Sequence, residues 1–287
     1  MGAPSIPLFS AEWVGNHKTS LAVLNAARKQ LLTRNILPHP VSNPTGMMRW
    51  HVRNFAFFTL AAILSLAPAA PAQSGSFIVS QHGKSVGTAS FNFTANPKGY
   101  NSTSLVRVAM QGLDYSLSKT ERLSAANHLR HAQLSATVNS SAVTVTAAPD
   151  SAQILLNIAA NGHASTTRLD PHPAAVFLPD FDPGALETLL ALAVSGNNRN
   201  LWAIIPKQAG SIEPIQLATY ADEQGSLDGK PIVVHHLVAT IGSGKTELFS
   251  GPENQLLQAE LPQQGFALVR NGFILTPPAK PGAPPAQ

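Results

Sequence analysis

The chain of 287 residues contains no cysteine. That removes disulfides, thiolate metal sites, thiol nucleophiles and a lipidated cysteine at a processed N-terminus. Charge is scarce as well: Asp, Glu, Lys and Arg make up 12% of the residues, where about 25% is ordinary. Two catalytic signatures are missing, the Gly-x-Ser-x-Gly nucleophile elbow and the His-Glu-x-x-His zinc helix. The most apolar stretch, Phe55 to Leu66, runs 12 residues and falls short of the ~20 that a membrane-spanning helix needs.

What is present begins with that stretch. Met47 and Met48 precede it, Arg49, His51 and Arg53 give it a positive flank, and small residues ending in Ala70-x-Ala72 follow it. This is the order of a secretory signal with its cleavage site, so a cut next to Gln73 is expected, rather than a permanent anchor. Residues 1–46, broken by Pro38, Pro40 and Pro44, read either as translation begun upstream of a start at Met47 or Met48, or as a disordered leader. The expected location is therefore periplasmic or extracellular.

The same division disposes of the basic character. Net charge is +4 and the pI is near 9.5. Residues 1–72 hold six Lys or Arg against Glu12, whereas residues 73–287 hold 13 against 14 acids. A near-neutral remainder has no field to gather phosphates, so no nucleic-acid partner is expected.

From residue 73 onward, alternation with a period of two dominates. Between Thr88 and Ala95 the residues Ala89, Phe91, Phe93 and Ala95 share one face, and polar residues take the other. Further strands are expected at 105–110, 113–123, 133–138, 143–147, 154–159, 164–169, 201–205, 215–220, 232–241, 246–249, 255–261 and 266–275. Asn161-Gly162 is the strongest hairpin signal. A single helix is expected at about 182–195, capped by Asp182, started by Pro183 and stopped at Gly196, with Leu186, Leu189, Leu190, Ala193 and Val194 on its apolar face. The fold class is mainly β: a curved antiparallel sheet or half-barrel meander with one main covering helix, forming a single domain over 73–275. Residues 276–287, rich in proline, read as a disordered tail.

Three motifs invite chemistry. Ala239 to Thr246 fits a relaxed phosphate loop, but Gly251-Pro252 prevents the helix such a loop requires, so Gly242-Ser243-Gly244 reads as a hairpin tip and no nucleotide is expected. The histidines at 82, 128, 131, 163, 172, 235 and 236 lack ligand spacing, and His235 and His236 face opposite sides of one strand. Asp180 and Asp182 read as a carboxylate pair or as capping residues, and capping accounts for Asp182 without further assumption. No catalytic, cofactor-binding or metal-binding residue is assigned.

Two stretches carry a resemblance. Ser76-Phe-Ile-Val79 leading to Gly83-Lys84-x-Val86-Gly87-Thr88, and Leu227-Asp-Gly-Lys-Pro-Ile232 leading to Arg270-Asn-Gly-Phe273, resemble bacterial exported proteins of unknown function related to the periplasmic lipoprotein carriers. The resemblance implies a half-barrel closed by helices over an apolar cavity, and it implies no catalytic residue. The expected function is thus non-enzymatic binding of an apolar or amphiphilic partner, such as a lipid, lipoprotein or envelope protein. Phe91, Phe93, Val106, Val108, Leu186 and Leu190 are the candidate ligand-lining residues. The alternatives are an exported hydrolase with a site assembled from distant residues, and a structural or assembly module of the envelope.

Overall fold

The computed structural model describes residues 73–195, 200–207 and 209–277. The segment expected to be a signal, the residues expected to precede it as a leader and nearly all of the proline-rich stretch expected to be a tail lie outside the described residues. Alternation does what it implied: Ser74–Gln81 (β1), Lys84–Asn96 (β2), Gly99–Met110 (β3), Leu113–Ser124 (β4), Leu129–Val138 (β5), Ser141–Asp150 (β6), Gln153–Ala160 (β7) and His163–Leu169 (β8) form an antiparallel meander. Its turns carry the expected chemistry. Asn161 and Gly162 have φ of 52° and 75°, and His82-Gly83 and Asn139-Ser140 also occupy the left-handed region, as hairpin turns matched to strand twist require.

After Ala175–Phe177 (β9) comes the helix Pro183–Ser195 (α1), followed by Leu201–Ile205 (β10), Ser211–Thr219 (β11), Glu223–Leu227 (β12), Lys230–Ile241 (β13), Gly244–Ser250 (β14), Leu256–Leu261 (β15), Phe266–Arg270 (β16) and Phe273–Leu275 (β17). Pairing runs β9–β10–β11–β13–β14–β15–β16–β1 and joins the meander through β2. Strands β9 and β10 are parallel, so the sheet is mixed rather than wholly antiparallel; it is large, curved and unclosed. β12 pairs with the first half of β13 and with β17, and forms a flap over a second small core of Val234, Phe249, Leu257 and Phe273.

Two short strands and one split escape period-two reading. β9 has three residues, too few to alternate, and β12 includes Gly225 and little apolar side chain. The expected strand 266–275 is broken by Asn271-Gly272, where Gly272 has φ 80°.

The helix is where expected, but it does more than cover one face. Every residue from Pro183 to Leu190 is buried, and α1 touches β2 and β3 on one side and β9 and β15 on another. A helix apolar nearly all round belongs inside, and here the sheet curls about it. Leu186, Leu189, Leu190 and Ala193 all belong to the main core, but Val194, expected beside them, is exposed: seven positions on from Glu187, it shares that residue's side of the helix. Gly184 permits the close approach, since a Cβ there would lie 2.4 Å from Ser104 Oγ.

Candidate functional site

Strand parity builds a polar pocket into the core beneath the start of α1. On β4 the inward residues are Leu113, Tyr115, Leu117, Lys119, Glu121 and Leu123. Inward on β3, Ser102 and Ser104 sit in register with Glu121 and Lys119. All four polar side chains are buried. Lys119 Nζ lies 2.6 Å from Asp182 Oδ2 and 3.1 Å from Glu121 Oε2. The other Asp182 oxygen, Oδ1, accepts hydrogen bonds from the backbone N–H groups of Gly184 (2.9 Å) and Ala185 (3.2 Å). The capping reading of Asp182 therefore holds, with a buried ammonium added. Asp180 is not its chemical partner; it pairs with Lys207 at 2.9 Å.

Electrostatics assign this cluster a holding role. Burial alone would lower the Lys119 pKa, but Asp182 and Glu121 outweigh it and keep the ammonium charged. Burial raises the Glu121 carboxyl more than Lys119 lowers it. A lysine held protonated cannot take a proton from Ser104, so the Ser104–Lys119 juxtaposition is no nucleophilic dyad. Neither of the two surface clefts reaches Lys119, Glu121 or Asp182. Between the two acids, Phe181 adopts φ 56°, unusual for a bulky residue. Its ring is held edge-on by Tyr115 and Phe266, at 6.0 and 4.8 Å.

One turn further along α1 the situation reverses. Glu187 is the only ionisable residue of the helix, and it lines a cleft of about 550 Å³, a volume within the usual range for small-molecule sites. Phe93, Tyr100, Ala191 and Leu227 form its apolar lining, and Arg270 stands with Glu187 among its polar groups. Glu187 Oε2 accepts from the Leu256 N–H at 2.7 Å, and Oε1 accepts from the Gln73 side-chain amide. Burial raises the Glu187 pKa from 4.5 to about 7, against the opposing pull of the Leu256 N–H and Arg270. Arg270 donates to the carbonyls of Ser74 (2.6 Å) and Leu256 (3.3 Å), which fixes its guanidinium. A neighbouring cleft of about 300 Å³ shares Ser74, Leu227 and Arg270.

The expected lining residues divide. Phe93 lines the larger cleft and Phe91 the smaller. Val106, Val108, Leu186 and Leu190 are core residues, and neither cleft includes them. Glu187 and Arg270 went unmarked by motif. A lone charge in an otherwise uncharged helix was the available signal for Glu187, and none exists for Arg270.

The remaining candidates are structural. Gly242-Ser243-Gly244 is the hairpin tip between β13 and β14, with Lys245 exposed on β14. His236 stacks between Tyr220 and Phe249, with Nδ1 3.1 Å from Glu223, while His235 meets Asp222 at 2.9 Å. Among the described residues no group of three or more His, Asp or Glu side chains is placed to hold a metal ion, and no helix is long and apolar enough to cross a membrane. Compared with known protein families, curated proteins and solved structures, the chain matches none.

Proposed function

We propose that this is an exported, non-enzymatic binding protein that takes an amphiphilic ligand at the cleft beside Glu187. The observation that carries the reading is the composition of that cleft. An apolar floor of Phe93, Tyr100, Ala191 and Leu227 lies beside one fixed cation, Arg270, and two acids, Glu253 and the buried Glu187. Such a surface offers an apolar segment cover and a polar head charged groups beside it. The concave side of the sheet is occupied by α1, so the ligand's apolar part lies along the flank of the helix instead of inside a closed barrel. A lipid or lipoprotein segment of the envelope has this chemistry.

The hydrolase alternative finds no support in the buried lysine cluster, which is charged, sealed and occupied with capping. The assembly alternative draws on one observation: β8 pairs in register with β7, and its residues from His163 to Thr166 are exposed, which leaves a strand on which another chain can pair.

Native mass spectrometry of the protein purified from its own envelope fraction tests the reading. Retained amphiphile should appear as added mass in the wild type and should fall away in Phe93→Ala and Arg270→Ala. A second protein chain as the only added mass would favour assembly. Equal retention in both variants would place the ligand elsewhere.

A further inference from the structure

Gln73 is the residue that follows Ala70-x-Ala72, and it is already held in the larger cleft. Its carbonyl accepts a hydrogen bond from the Phe93 N–H at 2.7 Å, which extends the β1–β2 pairing by one residue. Its side chain reaches out to Glu187, where Nε2 donates to Oε1. The second Glu187 oxygen is taken by the Leu256 N–H, and the nearby Arg270 is occupied by the Ser74 and Leu256 carbonyls. Among the described residues, then, the hydrogen-bond donors to Glu187 are two amides and no cation. Glu253 also lines the cleft, so acids outnumber bases there. Cutting the Ala72–Gln73 bond turns a neutral peptide nitrogen into an ammonium on a residue fixed in this place.

We infer that the amino terminus released by cleavage after Ala72 seats in this cleft as the cationic partner of Glu187, with the Gln73 side chain held extended. The inference rests on the export reading of the proposed function. It has a chemical consequence, because an N-terminal glutamine is reactive. The free α-amine attacks its own side-chain carbonyl carbon Cδ, the new N–Cδ bond closes a five-membered lactam, and the Cδ–Nε2 bond breaks. Nε2 then leaves as ammonia with the proton given up by the amine. That closure needs a neutral amine and a side chain folded back onto it. Seating opposes both: an ammonium has no lone pair, and a side chain reaching towards Glu187 is turned away from its own nitrogen. The mature protein should keep an open-chain glutamine.

The test uses the exported protein and intact mass. N-terminal sequencing first establishes the cut, and loss of one ammonia is then followed over time for folded and denaturant-unfolded protein. Folded wild type should lose ammonia about tenfold or more slowly than the unfolded chain, the factor that one hydrogen bond to a charged group corresponds to. Glu187→Gln, which keeps the size and shape of the side chain, should narrow that gap; Glu187→Ala should abolish it if the variant folds. A cut elsewhere than before Gln73 would overturn the inference through its processing premise. A cut at Gln73 with equal rates in folded and unfolded protein, or with Glu187→Gln as slow as wild type, would overturn the seating itself.

Discussion

Asp182 caps α1 and Glu187 stands five positions further on within it, both buried, and the protein uses them in opposite ways. Asp182 is fully committed: one oxygen caps α1, and the other meets Lys119 in a buried cluster that lines neither of the two clefts described above. Among the described residues Glu187 accepts hydrogen bonds from amides, feels Arg270 at a distance, borders open volume and has its pKa raised to about 7. Burial is common to both, so burial does not mark a site. What differs is whether the charge already has its counter-charge and whether a ligand can arrive.

The sealed end should respond most strongly to mutation. Lys119→Ala leaves two acids facing each other in the core and should cost ~3–5 kcal/mol in urea unfolding, the penalty of an uncompensated buried charge. Replacing Lys119 by Met and Glu121 by Leu together removes the ammonium and one of its two acids, so that Asp182 remains as the cap with no second acid facing it. That double variant should be markedly more stable than Lys119→Ala, and a double variant as damaged as the single would contradict the ion-pair account.

Next in size is the apolar middle of the same helix. Leu190 is 2% exposed among core residues, so Leu190→Ala should cost ~2–5 kcal/mol through lost burial and a residual cavity.

The open end should show itself as pH dependence. A raised folded pKa means that the folded state holds the Glu187 proton more tightly than the unfolded chain does. Stability from this group is thus full below about 4.5 and is lost as pH rises to about 7. The loss amounts to roughly 3 kcal/mol. Glu121 and Asp180, also raised by burial, act in the same direction, so the difference between wild type and Glu187→Gln isolates the group. A seated N-terminal ammonium would shrink that difference in the processed chain.

Smallest of all is the exposed hairpin. Lys245→Ala should change stability by no more than ~0.5 kcal/mol, with no nucleotide-dependent shift in the unfolding midpoint.

Much of this was legible in residue order. Parity placed Phe91, Phe93, Val106 and Val108 on one face, turn residues marked the hairpins, and Asp182 with Pro183 marked the helix start. Lys119 and Glu121 share the parity of Leu117 and Leu123, a signal that went unmarked until the structure placed both side chains inward. The cleft was not legible, because Arg270 and Phe93 lie on strands joined only by pairing through β1, and Glu187 meets them only through the packing of α1 on the sheet. Periodicity reports which face a side chain takes, and it is silent on which distant face lies opposite. For that reason α1 reads in sequence as a cover and folds as a central strut.

Hydrogen exchange across Pro183 to Ser195 tests this most directly. A strut buried on nearly every side, capped into Lys119, should be protected to the level of β3 and β4, and added amphiphile should slow exchange only around the cleft, near Phe93, Tyr100 and Ala191. Rapid exchange through α1 that slows along its whole length when amphiphile is added would make the helix a movable lid and contradict the account.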